Sequence, residues 1–154
     1  MKHNNILATL SNIPFTHIFL LSEIWLVFLK WDLLVSFFNY KYWQITIDKS
    51  NIINQNDTQL PQVLDIIRLS EKVGRHHIRN MNCLRRCLCQ KQLLEKRQFS
   101  CELHIGVKMA DGSLKAHSWL SYHNVLINDS TEVVSQYTEL EASSNSKIFS
   151  ALRG

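Results

Sequence analysis

A chain of 154 residues with 45% hydrophobic content and a formal net charge of +4 is long enough to bury a core and suits one globular domain with a helical extension. The balance is only mildly basic, and no interleaved aromatic-and-basic platform accompanies it, which argues against nucleic acid as a partner. The excess is local: residues 61–100 carry nine Lys or Arg against three acids, which reads as a solvated helix face or as an attraction for an acidic peptide or partner.

Residues 1–48 read as a helical N-terminal segment. The start, Met1 to Asn5, lacks the compact apolar run and small-residue cleavage site of a signal peptide. Residues 18–38 are long enough to span a bilayer. Glu23, Lys30 and Asp32 argue against a span, since each charge near a bilayer centre costs about 2.5–3.5 kcal/mol. Glu23 and Lys30 are seven apart and share a helix face, so the expectation is an amphipathic helix packed on the domain or on a partner. Peripheral membrane contact stays open, given Trp25, Trp31, Tyr40, Tyr42 and Trp43.

Residues 49–59 are polar and Asn-rich, a linker. The core is expected over 60–140. Pro61 suits the first turn of a helix, Val63, Ile66 and Ile67 form its apolar stripe, and Gly74 is a stop signal. A short basic connection, 75–82, leads to a second helix from Cys83 to Lys96, with Leu84, Leu88 and Leu94 among its buried positions.

The period then changes to two. Cys101–Lys108 reads as a strand, Asp111-Gly112 as a turn, Leu114–Leu120 as a second strand and Val125–Asn128 as a third. A tight loop near His123 sets His117 opposite Asp129 to within one residue of register. Gly106, mid-strand, signals close approach of another element, for which the Cys83 helix is the candidate. Residues 141–154 form a polar tail.

Three residues carry the chemistry: Cys83 at a helix start, His117 in a strand and Asp129 at the end of the next. A cysteine attacks as thiolate. A helix N-terminus favours that anion, and a nearby imidazole can take the proton. A carboxylate then holds the imidazole in one tautomer, and the Cys83 N–H can bind a developing oxyanion. Trp119, on the same strand face as His117, can shield the imidazole–carboxylate contact.

The four cysteines, Cys83, Cys87, Cys89 and Cys101, are crowded onto and beside one helix. That is poor geometry for a disulfide framework and suggests reduced thiols in a cytoplasmic protein. Cys87 faces the same way as Cys83 but lies one turn deeper, without free N–H groups; it, Cys89 and Cys101 read as packing. Cys83, Cys87 and Cys89 with His76, His77 or His104 match no common zinc spacing. His76, His77 and His123 read as surface residues.

The runs Cys83-Leu84-Arg85-Arg86-Cys87-Leu88, Leu93-Leu94, Ile105-Gly106-Val107, Ala116-His117-Ser118-Trp119 and Leu126-Ile127-Asn128-Asp129 resemble the leader peptidases of lasso-peptide biosynthesis. These are transglutaminase-like proteins of the papain-like superfamily. The resemblance covers residues 60–137, and the apolar segment 18–43 is similar to one that the family carries.

It implies an α+β fold: a catalytic helix packed on a small antiparallel sheet, with a helical N-terminal segment. It implies Cys83 as nucleophile, His117 as general base and acid, and Asp129 as its orienter. No metal or organic cofactor is implied. The substrate would be a ribosomally made precursor peptide, delivered by a separate leader-recognition protein, with an asparagine-synthetase-like cyclase acting afterwards. Gln98 and Ser100 stand where the family commonly has Gly and Pro, and Cys87 stands where Ser or Ala is usual. Two other readings share the residues: acyl transfer to an amine, and a non-enzymatic scaffold recruiting partners through 18–38.

Overall fold

A computed structural model describes residues 15–38, 59–78 and 81–140. The expected linker at 49–59 apart from Gln59, the tail at 141–154, and Tyr40, Tyr42 and Trp43 lie outside the described residues. Three helices pack together: α1 (Phe15–Phe37), α2 (Leu60–Arg75) and α3 (Cys83–Glu95). A four-stranded antiparallel sheet follows, formed by β1 (Glu102–Ala110), β2 (Ser113–Tyr122), β3 (Val125–Leu126) and β4 (Thr138–Glu139), in the order β3-β2-β1-β4. A short α4 (Thr131–Val134) precedes β4. The architecture is α+β, as expected.

The first helix departs from the amphipathic expectation. Ile24, Phe28, Trp31 and Val35 recur every three or four residues and are buried in the core, but Ile18, Phe19, Leu26, Leu33 and Phe37 are exposed. With apolar residues around the whole circumference, hydrophobic periodicity does not select the inward face. The charges select it. Glu23 accepts hydrogen bonds from Lys96 and Arg97, both at 2.6 Å. Lys30 donates to Gln92 at 3.0 Å. Asp32, only 2% exposed, pairs with Arg85 at 3.2 Å. The three groups that argued against a bilayer therefore latch α1 onto α3 and the turn that follows it. Among the described residues, no helix is long and apolar enough to cross a membrane.

In α2, Val63, Ile66, Ile67 and Ser70 face the core. The helix runs through Gly74 to Arg75, so Gly74 is not its stop. A Cβ there would lie 3.2 Å from the Phe28 ring, and the glycine lets α2 press close to α1. His77 is not a free surface residue either: its ring lies 5.2 Å from that of Trp25 and 5.9 Å from that of Phe28.

The central helix is α3. Asn82 caps it by accepting from the Arg85 N–H at 3.0 Å. Leu84, Leu88, Leu93 and Leu94 are buried, and so are Cys87, Cys89, Gln90 and Lys91. Beyond its end, Gln98 adopts φ 64° while the Phe99 N–H returns to the Leu94 carbonyl. This is the left-handed position that a glycine fills without strain; glutamine bears a cost of about 1 kcal/mol.

Two tight hairpins shape the sheet. Asp111-Gly112 and His123-Asn124 both take positive φ, as two-residue type I′ turns require. The third strand is shorter than the expected Val125–Asn128, because the ladder changes character after Leu126. The Ile127 N–H still reaches the Leu120 carbonyl at 3.1 Å. The Leu120 N–H, however, bonds at 2.8 Å to the Asn128 side-chain oxygen rather than to a strand backbone. One repeat further along β2, the Ser118 carbonyl accepts from Cys87 of α3 at 3.3 Å. Helix α3 thus stands where β3 would have continued.

Candidate active site

The helix start, the vacated edge of β2 and the loop after β3 converge on one point. Nε2 of His117 lies 2.6 Å from Oδ2 of Asp129. With Nε2 engaged, Nδ1 is the nitrogen left to meet the Cys83 thiol, to which the ring is hydrogen-bonded. Asp129 is fixed by the Ser130 N–H at 2.8 Å and approached by Arg86 at 3.6 Å. Extending the Ser121↔Leu126 register sets Asp129 opposite Ser118, one residue from His117, within the slip allowed from sequence. The structure therefore brings the three sequence-selected residues together.

The electrostatics follow from this contact. Burial pushes the Cys83 thiol up, but hydrogen bonds from His117 and from the side chain and backbone of Ser118 outweigh it, and the thiol is pulled down to about 7. The bond to Cys83 is what most raises His117 above its ordinary value; burial opposes it and Asp129 adds to it. At the helix mouth the first backbone N–H groups, those of Cys83 and Leu84, have no intrahelical partner.

The other thiols differ in kind. Burial drives Cys87 and Cys101 up to about 12 and Cys89 well above its ordinary value. Cys87 does more than pack: it donates to the Ser118 carbonyl and accepts from Asn128 at 3.2 Å. Among the described residues, no group of three or more His, Cys, Asp or Glu gathers as a metal site. Iodoacetamide is accordingly expected to alkylate Cys83 selectively, with a midpoint near pH 7, against about 8.5 for a free thiol. Peptide mass spectrometry across a pH series reads this directly; reaction at all four cysteines with one profile would refute it.

Aromatic walls enclose the imidazole. Trp119, 5% exposed, stacks near it at 6.2 Å between ring centroids, and Tyr137 lies at 5.1 Å. Gly106 makes room for both: a Cβ there would sit 2.8 Å from the Trp119 ring and 2.8 Å from Tyr137 Cβ. Gly106 therefore accommodates these rings, not the Cys83 helix expected from sequence. The strand period places Gly106 on a face without saying what covers that face.

A polar ring escaped the sequence reading. Asn128 donates to Gln90 at 2.8 Å. Gln90, fully buried, donates to Glu71 at 2.7 Å and to Ser70 at 3.0 Å. Glu71 pairs with Arg86 at 3.3 Å, and Arg86 faces Asp129. The circuit closes on the carboxylate beside His117. One signal was available: Cys83, Cys87 and Gln90 fall at i, i+4 and i+7, so a glutamine occupies the buried stripe of α3. A groove of about 470 Å³ opens alongside, with Arg68, Lys72 and Arg75 among the residues that line it, and Asn128 and Asp129 also lining it.

A family model described as the transglutaminase-like superfamily matches residues 30–142. No curated protein and no solved structure gives a significant match.

Proposed function

Since the chain belongs to the transglutaminase-like superfamily, whose chemistry is of the cysteine peptidase or acyltransferase kind, we propose that it is a cysteine peptidase removing the leader from a lasso precursor peptide. The observation that carries this reading is the His117 imidazole held between a thiol and a carboxylate, with the thiol at a capped helix start. In this reading the Cys83 thiolate attacks the scissile carbonyl, and the oxyanion forms at the helix mouth. His117 gives its proton to the leaving amine, and the released segment departs. Water, deprotonated by His117, then opens the thioester, while Asp129 holds the imidazole through both steps.

The leader assignment rests on the resemblance of the motifs around Cys83, His117 and Asp129. A separate recognition protein would deliver the precursor, and an asparagine-synthetase-like cyclase would take the trimmed product. Arg68, Lys72 and Arg75 outnumber Glu71 and Asp129 in the lining of the groove, which supports an acidic stretch in the peptide. The cognate precursor, incubated with the protein and its recognition partner, is expected to yield free leader and core by mass spectrometry. Intact precursor in every condition would sink the peptidase assignment. A product carrying an added primary amine instead of a new carboxylate would favour acyl transfer.

A further inference from the structure

We propose that His104 is a positioning residue for the reaction, holding Trp119 in place beside the contact between His117 and Asp129. The inference rests on the reading of Cys83 as nucleophile and adds a cluster of side chains outside the Cys-His-Asp arrangement.

Strand alternation builds the cluster. His117, Trp119 and Ser121 fall on one face of β2, and the register sets His104 of β1 opposite Trp119 and Gly106 opposite His117. Across β1, Glu139 of β4 pairs with Gly106. The His104 ring is engaged at both nitrogens: Nδ1 lies 2.5 Å from Oε1 of Glu139, and Nε2 lies 2.7 Å from Oγ of Ser121. Its plane is within 9° of that of Trp119, with 5.8 Å between ring centroids, inside the offset range that aromatic pairs favour. A second carboxylate, that of Glu102, stands 3.9 Å from Nε2.

Trp119 needs such a grip. Gly106 opens the space that its ring fills, but a glycine supplies no side chain to hold a ring there. His104 supplies it, because bonds to β2 and β4 fix the plane against which Trp119 lies. The lock survives titration of His104. The Glu139 carboxylate only accepts, so Nδ1 donates; the Ser121 hydroxyl can donate to a neutral ring or accept from a charged one. Trp119, 5% exposed and stacked near His117, keeps water from the imidazole–carboxylate contact, and a charge interaction is stronger where water is excluded. His104 thus acts on His117 through Trp119, without touching the reacting atoms.

Alkylation of Cys83 by iodoacetamide tests this without any peptide substrate, because the thiolate displaces iodide at a rate proportional to its population. In His104→Ala, Trp119 is released and water reaches the His117–Asp129 contact. The imidazolium that pairs with the thiolate is then less stable. The Cys83 profile is expected to move to higher pH, with the rate below neutrality falling about fivefold. Glu139 lies on an edge strand with its side chain 55% exposed, so Glu139→Ala removes one anchor with little risk to folding. It is expected to lower the rate about twofold in the same direction. Protection of Cys87, Cys89 and Cys101 from the reagent reports the intact fold in each variant. A double-mutant cycle with Trp119→Ala separates positioning from plain structural support: in that background neither substitution is expected to move the profile further. Wild-type profiles in both His104→Ala and Glu139→Ala, or equal losses with and without Trp119, would overturn the His104 proposal and leave Cys83 in its role. If wild-type Cys83 itself reacts like a free thiol, the nucleophile reading falls, and this proposal with it.

Discussion

Cys83→Ala is expected to abolish precursor cleavage, lowering the rate by about 10⁴-fold or more, with little loss of stability. The size follows from the chemistry: without the thiolate no acyl intermediate forms, and what remains is positioning and the oxyanion site. No other thiol can substitute. Cys87 lies on the same helix face but is fully buried and held up at about 12, so its thiolate is negligible at neutral pH. Stability should hold because Cys83 is only partly buried and opens the helix, where alanine is well tolerated. A time course of leader release, paired with thermal melts of both proteins, checks the two halves together. Retention of a tenth of the wild-type rate by a well-folded alanine variant would end the catalytic assignment.

Gln90→Leu is expected to carry the largest stability loss, about 2–4 kcal/mol. Leucine matches the side chain in bulk but supplies neither donor nor acceptor. It leaves an Asn128 N–H without its acceptor and removes the donor that Glu71 and Ser70 now share. Ser70 and Gln90 are fully buried, where water cannot replace the lost bonds, whereas Glu71 and Asn128 border the groove. Asn128 would also lose one of the bonds holding it at the Leu120 N–H and Cys87 sulfur, and Asp129 is its direct neighbour. Denaturant titration should show the lower stability. Cleavage assayed below the melting transition should show a reduced rate and a His117 titration shifted toward lower pH, as the contact with Asp129 loosens. A Leu variant as stable and as active as wild type would mean that the polar ring is incidental.

What the sequence disclosed divides along physical lines. The hairpin signal at His123 was enough to bring His117 near Asp129, because a tight turn sets register. The helix start placed at Cys83 distinguished it from Cys87, and the Asn82 cap that fixes this start emerged only with the fold. Asn128 and Gln90 were not read as functional, because a polar residue in a buried place shows its purpose only when its neighbours are known. The same limit misdirected Gly106, whose neighbours are Trp119 and Tyr137. In α1, the apolar residues on every side erased the period, and the inward face was set by Glu23, Lys30 and Asp32 reaching partners more than fifty residues away in sequence. The two-residue β4 and four-residue α4 are too short to carry any periodic signal.

The early end of β3 has a consequence for the behaviour of the protein in a crowded solution. A sheet edge with free backbone groups invites strands from other chains. On β2 those groups are occupied by Asn128 and Cys87, so a foreign strand could add there only by evicting the cysteine-bearing helix. The same contacts that seat this helix therefore guard this edge against aggregation, and a change that loosens one should expose the other.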